Sequence, residues 1–115
     1  MRVFYLEDYV PDVNLMRQYM DSAGHEFSSA GTLGDARLIL EDQRPDVFLV
    51  DIIIQGEDAY DLIAHAVKTH LSKNIIAITA KAVPEERQRC LALGCSEVMF
   101  KPFTVDDLER VLASL

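Results

Sequence analysis

Val47-Phe48-Leu49-Val50-Asp51 combines a four-residue apolar run with an acidic end. A run of apolar residues without alternation is typical of a strand buried on both faces, as in a parallel sheet covered by helices. A second run of this kind, Ile75-Ile76-Ala77-Ile78, lies further along the chain. The two runs therefore predict the middle of a parallel sheet.

Short apolar runs alternate with helical patterns five times along the chain. The remaining strands are predicted at Val3-Phe4-Tyr5-Leu6, around residues 26–29 and at Val98-Met99-Phe100. Five strand–helix repeats predict one α/β domain over residues 1–115, with a flavodoxin-like (βα)5 doubly wound parallel sheet. Right-handed crossovers favour the strand order 2-1-3-4-5.

Proline, glycine and capping residues predict where the helices begin and end. The predicted starts are Pro11, Pro84, and the threonine–aspartate pairs Thr32 with Asp35 and Thr104 with Asp107. Gly24 and Gly94 are expected to end the first and fourth helices, and the second helix is expected to run through Leu40. A long loop over residues 52–57 is predicted to lead to a third helix that ends near Leu71.

The composition is that of an ordinary globular domain with more acidic than basic residues. Half of the 115 residues are apolar and the formal net charge is −8, which argues against a basic nucleic-acid footprint. No apolar run approaches the ~20 residues needed to cross a bilayer.

Met1 leads directly into the first strand rather than into a signal peptide, which favours a natural N-terminus. Few thiols, with no CxxC pair, favour a reduced, cytoplasmic chain.

Polar residues follow four of the five predicted strands at their carboxyl ends, where open α/β sheets bind ligands. They are Glu7 and Asp8 after the first strand, Asp51 after the third, Thr79 after the fourth and Lys101 after the fifth. Each residue alone is compatible with a helix cap, a strand end or a solvated surface. Their coincidence at one edge of the sheet predicts a functional site.

Clustered carboxylates need a cation. Two carboxylates ~4 Å apart repel by about 4 kcal/mol at an effective dielectric of ~20. Oxygen ligands without histidine or cysteine favour Mg²⁺ or Mn²⁺ over zinc. Such an ion beside a lysine and a hydroxyl suits phosphoryl transfer. Asp51, on the central strand, is the predicted nucleophile, because a free aspartate is ionised at neutral pH and needs no general base.

Together these motifs resemble the receiver domains of two-component response regulators. The matching segments are Glu7-Asp8, Leu49-Val50-Asp51-Ile52, Ile78-Thr79-Ala80 and Lys101-Pro102-Phe103, and the resemblance covers essentially the whole chain.

The resemblance implies a role for each site residue. Asp51 would accept a phosphoryl group from a phosphohistidine of a sensor histidine kinase or of a histidine phosphotransfer protein. Thr79 and Lys101 would contact that group, and the peptide bond between Lys101 and Pro102 would be cis. The implied Mg²⁺ ligands are Glu7, Asp8, Asp51 and the main-chain carbonyl of Ile53. A downstream protein would bind the face formed by the fourth helix, fifth strand and fifth helix.

The chain departs from the family pattern at several positions. Gln55 and Ala59 replace the usual proline and glycine, four and eight residues after the acceptor, and Val98 replaces the switch aromatic. Family members differ in phosphoryl lifetime through residues at the positions of Ile53 and Lys81. Because an apolar Ile53 cannot orient water by hydrogen bonding, we expect slow self-dephosphorylation.

Three other functions are weighed against the phosphorylation switch. A degenerate receiver would act as a phosphorylation-independent interaction module, but such chains normally lose acceptor or metal carboxylates. A phosphatase with an aspartate nucleophile would carry a second aspartate where this chain has Ile53. A flavodoxin-like cofactor would meet repulsion from Glu7 and Asp8. The expected protein is mainly a signalling switch, which catalyses its own phosphorylation and dephosphorylation.

Two features outside the site have structural interpretations. The run Glu85-Glu86-Arg87-Gln88-Arg89 is predicted to be a solvated helix face, with docking on the output face as the alternative. Cys90 and Cys95 are predicted to be a buried thiol and a small residue beside Gly94.

Overall fold

The computed structural model of the chain describes residues 1–115. The five strands of its main sheet alternate with five helices, and a short two-stranded hairpin follows the third strand. The strands of the main sheet are β1 (Arg2–Leu6), β2 (Glu26–Ala30), β3 (Val47–Asp51), β4 (Asn74–Thr79) and β5 (Glu97–Phe100). The helices are α1 (Val10–Ser22), α2 (Leu33–Gln43), α3 (Tyr60–Lys68), α4 (Pro84–Leu93) and α5 (Val105–Ala113). None of these helices is long and apolar enough to cross a membrane.

The main sheet is parallel throughout, with strand order β2-β1-β3-β4-β5. The predicted doubly wound sheet and its order 2-1-3-4-5 are therefore confirmed. The central strand β3 pairs with β1 on one side and β4 on the other, and Asp51 lies opposite Ile78. The carboxyl ends of β1, β3, β4 and β5 consequently meet at one edge.

Helices cover both faces of the sheet, and every residue of β3 is buried. Phe48 and Val50 face a core that includes Leu40 of α2 and Ile63 of α3. The intervening residues of the strand face a second core, formed with α1 and α5. The central strands therefore lack an alternation of apolar and polar residues because both of their faces are buried, as the sequence predicts.

The capping residues act as the sequence predicts. The Thr32 side-chain oxygen accepts a hydrogen bond from the Asp35 N–H, at 3.1 Å. Thr104 and Asp107 form a reciprocal capping box at the start of α5. Pro84 is the first residue of α4. The predicted starts of these three helices are confirmed.

The segment predicted as a loop after β3 contains an antiparallel hairpin, in which Ile53–Ile54 pairs with Glu57–Asp58. Its two loop residues, Gln55 and Gly56, have φ values of 51° and 79°, and positive φ at both positions is the signature of a type I′ turn. The sequence did not reveal this hairpin, because glutamine is not among the residues that usually mark such turns.

Two helix ends differ from the prediction. α2 continues past Leu40 to Gln43 and ends where Arg44 takes a left-handed conformation before Pro45. α3 ends at Lys68 rather than near Leu71.

The chain leaves α3 through a turn that apolar spacing does not indicate. The Thr69 hydroxyl donates to the His65 carbonyl at 2.8 Å, and His70 adopts a φ of 52°. Leu71 is nevertheless buried in the core, because the turn rather than a helix directs it there.

The interpretation of residues 85–89 as a solvated face is wrong for Glu86. This residue is only 4% exposed, because its carboxylate faces α3 and accepts a hydrogen bond from the Tyr60 hydroxyl. The charge of Glu86 suggested an exposed side chain, because its hydrogen-bond partner Tyr60 lies 26 positions away in the sequence and could not be identified from it. Cys90 and Cys95 are both buried free thiols.

Gly94 ends α4 with a φ of +111°, and a Cβ added there would lie 2.8 Å from Cγ1 of Val67. We expect Gly94→Ala to lower the free energy of unfolding by about 2–3 kcal/mol, because left-handed strain and overpacking combine. Urea denaturation measures this loss. Gly24→Ala is the matched control: Gly24 has a φ of +79° but no atom within 4 Å of the added Cβ. It should lose only about 1 kcal/mol, and equal losses would contradict the role assigned to Val67.

Candidate functional site

The fold brings the predicted carboxylates together at the carboxyl edge of the sheet. Glu7 and Asp8 follow β1, and Asp51 is the last residue of β3. Their side chains offer oxygen atoms that all lie within 4.8 Å of one another. This convergence arises because β1 and β3 are adjacent, parallel and in register, with Leu6 opposite Val50.

Lys101, which follows β5, reaches across the edge to these carboxylates. Its Nζ donates to Oε2 of Glu7 at 2.9 Å and to Oδ2 of Asp51 at 3.1 Å. The peptide bond between Lys101 and Pro102 is cis. Nζ also lies 3.8 Å from Oδ2 of Asp12. Sequence reasoning missed Asp12, because an acid in the first turn of a helix is explained by the helix dipole alone.

Glu7 is held from several sides and is only 3% exposed. Its Oε1 accepts a hydrogen bond from the Tyr9 N–H at 3.0 Å. The Tyr5 hydroxyl, which is buried in β1, donates to Oε2 at 3.4 Å. Nothing in the spacing of the sequence marked Tyr5, since an aromatic residue in a core strand is ordinary. Glu7 is consequently fixed before any ligand binds.

Asp8 lies at the open side of the cluster. It is exposed, and its Oδ2 accepts a hydrogen bond from the Gln55 N–H at 3.1 Å. A proline at position 55, as the family pattern has it, lacks this N–H and the positive φ that the turn requires. The hairpin therefore gives Asp8 a main-chain partner that depends on the departure at Gln55.

Thr79 ends β4, directly beside β3, and is buried. Its hydroxyl oxygen accepts a hydrogen bond from the Lys81 N–H at 3.1 Å. Ile53 lies in the hairpin, two residues after Asp51, and its apolar side chain is 57% exposed. Val98, at the position of the switch aromatic, is packed into the core.

The electrostatics of the cluster favour a proton on Asp51. Burial and, to a smaller extent, the neighbouring Glu7 raise the pKa of Asp51 to about 7, although Lys101 acts in the opposite direction. Burial also opposes ionisation of Glu7, but hydrogen bonds to Asp51, Lys101 and the Tyr9 N–H keep the pKa of Glu7 below its ordinary value. Of the two carboxyl groups, Glu7 is therefore ionised near neutral pH, and Asp51 is the one that more readily keeps a proton.

The donor set fits a hard divalent cation. All three side chains provide carboxylate oxygens, which suit Mg²⁺ better than softer metals. One ammonium faces three carboxylates, so negative charge remains to be neutralised. The pKa of Asp51 is raised mainly by burial and further by Glu7, and a cation at the exposed Asp8 side would offset both effects.

A five-stranded doubly wound sheet with a cluster of carboxylates at its carboxyl edge defines a class of small α/β domains. Residues 3–113 match the family model described as "Response regulator receiver domain". The chain belongs to this family: it is a receiver domain of two-component systems.

Relatives with this domain differ in their overall architecture. Sensor histidine kinase RcsC of Salmonella typhi is 29% identical over 113 residues, covering 98% of this chain but 12% of RcsC. Transcriptional regulatory protein PhoP of Escherichia coli O157:H7 is 26% identical over 115 residues, covering 100% of this chain and 52% of PhoP. The chain therefore spans only part of the length of these curated relatives.

A solved structure of similar sequence is the receiver domain of sensor histidine kinase PA1611 from Pseudomonas aeruginosa PAO1. It has a TM-score of 0.84 and 25% identity, covering 98% of this chain and 94% of that one. That structure has a magnesium ion coordinated in its active site cleft.

Replacing Asp51 by asparagine should stabilise the metal-free domain. In EDTA at pH 8 we expect the free energy of unfolding to rise by about 1–3 kcal/mol, because a buried carboxylate beside Glu7 is removed. The folded pKa of Asp51 is raised, so the wild type loses stability as the pH rises from about 4 to about 7. The advantage of Asp51→Asn should accordingly shrink at pH 5, as denaturation at both pH values would show.

Asp42→Asn is the matched control, because Asp42 is exposed on α2 and its substitution should change stability by no more than about 0.5 kcal/mol. A destabilised Asp51→Asn, or a gain that is the same at both pH values, would contradict the electrostatic account.

Proposed function

We propose that this receiver domain is a phosphoacceptor switch in which Asp51 takes a phosphoryl group from a phosphohistidine. The donor would be a sensor histidine kinase or a histidine phosphotransfer protein. The observation that carries the proposal is the Lys101 ammonium, which bonds both Asp51 and Glu7 at the edge of the sheet. A carboxylate nucleophile, a fixed cation and a hydroxyl at one point are what phosphoryl transfer requires.

In the transfer step, an oxygen of Asp51 forms a bond to phosphorus as the bond between phosphorus and the donor imidazole nitrogen breaks. The imidazole nitrogen retains the electron pair of the broken bond. Only the ionised carboxylate can attack, so the proton that Asp51 holds near neutral pH must leave first. Asp51 is 8% exposed, which limits the approach to the open edge of the sheet.

Lys101 and Thr79 provide the contacts for the transferred group. The Lys101 ammonium already touches the Asp51 carboxylate, so it lies where negative charge develops on the phosphoryl oxygens. The Thr79 hydroxyl accepts a hydrogen bond from Lys81, which leaves its proton available for a phosphoryl oxygen. Stabilisation by such positioned donors is usually a large part of catalysis.

The ligands proposed for Mg²⁺, or alternatively Mn²⁺, are Glu7, Asp8, Asp51 and the main-chain carbonyl of Ile53. When bound, the ion supplies positive charge that lowers the pKa of Asp51 and neutralises phosphoryl oxygens. The residues themselves support this assignment, since Glu7 is held in place by Tyr9 and Lys101. The magnesium ion in the PA1611 receiver domain lends further support.

Phosphorylation would alter the affinity of the α4–β5–α5 face for a downstream protein. Thr79 connects through residues 80–83 to α4, and Lys101 lies between β5 and α5. Both residues that would contact the phosphoryl group are therefore attached to elements of this face. A small displacement at the site is consequently carried to the surface that would bind the partner.

Acetyl phosphate with Mg²⁺ should add one phosphoryl group to the wild-type chain, seen as intact mass. Asp51→Asn should give no adduct, because the accepting carboxylate is gone. Lys101→Ala should slow adduct formation by roughly a factor of 100 or more, since it removes a fixed charge from the site. The exposed Asp42→Asn variant should react like the wild type. An absent wild-type adduct despite measured Mg²⁺ binding would instead support the phosphorylation-independent interaction module.

Ile53→Asn should shorten the half-life of the phosphorylated domain by roughly three- to tenfold, because an amide beside the site can orient an attacking water. The loss of the phosphoryl mass after removal of the donor measures this half-life. Ile53→Val keeps an apolar side chain and should leave the half-life unchanged. Equal half-lives for the asparagine and valine variants would refute the role given to Ile53.

A further inference from the structure

A partly buried polar cluster joins α3 to α4 outside the phosphoryl-transfer site. The Tyr60 hydroxyl donates a hydrogen bond of 2.6 Å to Oε1 of Glu86, and Glu86 is 4% exposed. The guanidinium carbon of Arg89 lies 3.6 Å from the centroid of the Tyr60 ring, within cation–π range. We call the hydrogen-bonded pair, with Arg89 over the ring, the Tyr60–Glu86 clamp.

The α3 side of the clamp is fixed to the segment that follows Asp51. The Tyr60 N–H donates to Oδ1 of Asp58 in the hairpin, at 3.2 Å. The Ala59 N–H donates to the Ile52 carbonyl at 2.7 Å, and the Ile52 N–H donates to the Ile78 carbonyl at 3.0 Å. Tyr60 is thus anchored to the edge of the sheet.

The α4 side is connected to Thr79. Residues 80–83 are the whole connection between β4 and α4, and the Lys81 N–H bonds the Thr79 hydroxyl. Glu86 lies in the first turn of α4. A displacement of Thr79 toward a phosphoryl group on Asp51 would therefore move the end of α4 that the clamp holds.

We propose that the Tyr60–Glu86 clamp is a latch that holds α4 in its unphosphorylated position and so restrains phosphorylation. Its regulatory effect rests on the proposed phosphoryl transfer to Asp51. The latch is effective because Glu86 is buried, and loss of the Tyr60 hydroxyl leaves its Oε1 with only the weak Cys90 thiol donor, at 3.6 Å. Val98 is small and packed in the core, so this latch operates without an aromatic side chain at that position.

Opening the latch favours the displaced position of α4. If phosphorylation requires that displacement, the state that accepts the phosphoryl group is populated only in part before the reaction, and the apparent rate is reduced by that fraction. Loss of the clamp then raises the rate. A residue with a purely structural role would lower the rate or leave it unchanged when removed.

The first test is hydrogen–deuterium exchange of metal-free Tyr60→Phe, which keeps the ring for Arg89 and removes only the hydroxyl. Amides of α4 should exchange at least about fivefold faster than in the wild type, while those of α5 keep their protection. Tyr19→Phe is the matched control, because Tyr19 lies on α1 and its hydroxyl makes no hydrogen bond within the chain. Unchanged exchange in α4 would overturn the latch.

The second test is the initial rate of phosphorylation by acetyl phosphate and Mg²⁺. Tyr60→Phe should react roughly three- to tenfold faster than the wild type and the Tyr19→Phe control. Faster exchange in α4 without a faster reaction would show a structural contact only and overturn the regulatory role. A wild type that takes up no phosphoryl group would refute the proposed function and that regulatory role, whereas the exchange experiment would still decide whether the clamp holds α4.

Glu86→Gln separates the hydrogen bond from the charge, because glutamine keeps an acceptor oxygen for Tyr60. It should retain most of the α4 protection, whereas Glu86→Ala should lose it. In the Tyr60→Phe/Glu86→Ala double variant the two effects should add only in part, since both remove the Tyr60–Glu86 hydrogen bond while Glu86→Ala also removes the weak contact with the Cys90 thiol. Additive effects on α4 exchange would contradict a direct clamp.

Discussion

The contact of Lys101 with Glu7 and Asp51 is the interaction on which the site depends. It joins the ends of β1, β3 and β5, although Lys101 and Glu7 are 94 positions apart in the chain. Without this ammonium, the carboxylates at the edge would repel one another in a partly buried environment. With it, the cluster persists but keeps surplus negative charge, and this surplus is what a divalent cation can neutralise.

The burial that makes the sheet stable also determines the chemistry of its central carboxylate. Since β3 is covered on both faces, the residue at its end is placed where water is scarce, and desolvation raises the pKa of Asp51. A carboxylate in this position is accessible from one side but gives up its proton less readily than a free aspartate. The fold thereby makes the proposed acceptance of a phosphoryl group depend on the other charges at the edge, rather than on Asp51 alone.

The sequence was sufficient for the sheet and for the five residues at its edge, because apolar runs mark buried strands and the residue after each strand has a defined place. It was insufficient for interactions between distant side chains. The carboxylate of Glu86 looked solvated, since charge reveals nothing about a tyrosine on another helix. Tyr5 and Asp12 have ordinary local explanations, and only the folded chain shows that both lie beside the charges of the site.

The departures from the family pattern form a consistent local structure. Gln55 and Gly56 both need positive φ in the hairpin turn, a conformation that proline cannot adopt. Ala59 is buried with a φ of −100°, so glycine is not required there. The hairpin that results bonds Asp8 through the Gln55 N–H and fixes the backbone of Tyr60 through Asp58. One altered loop therefore contacts the carboxylate cluster through Asp8 and the clamp through Tyr60, which makes it a physical connection between the two.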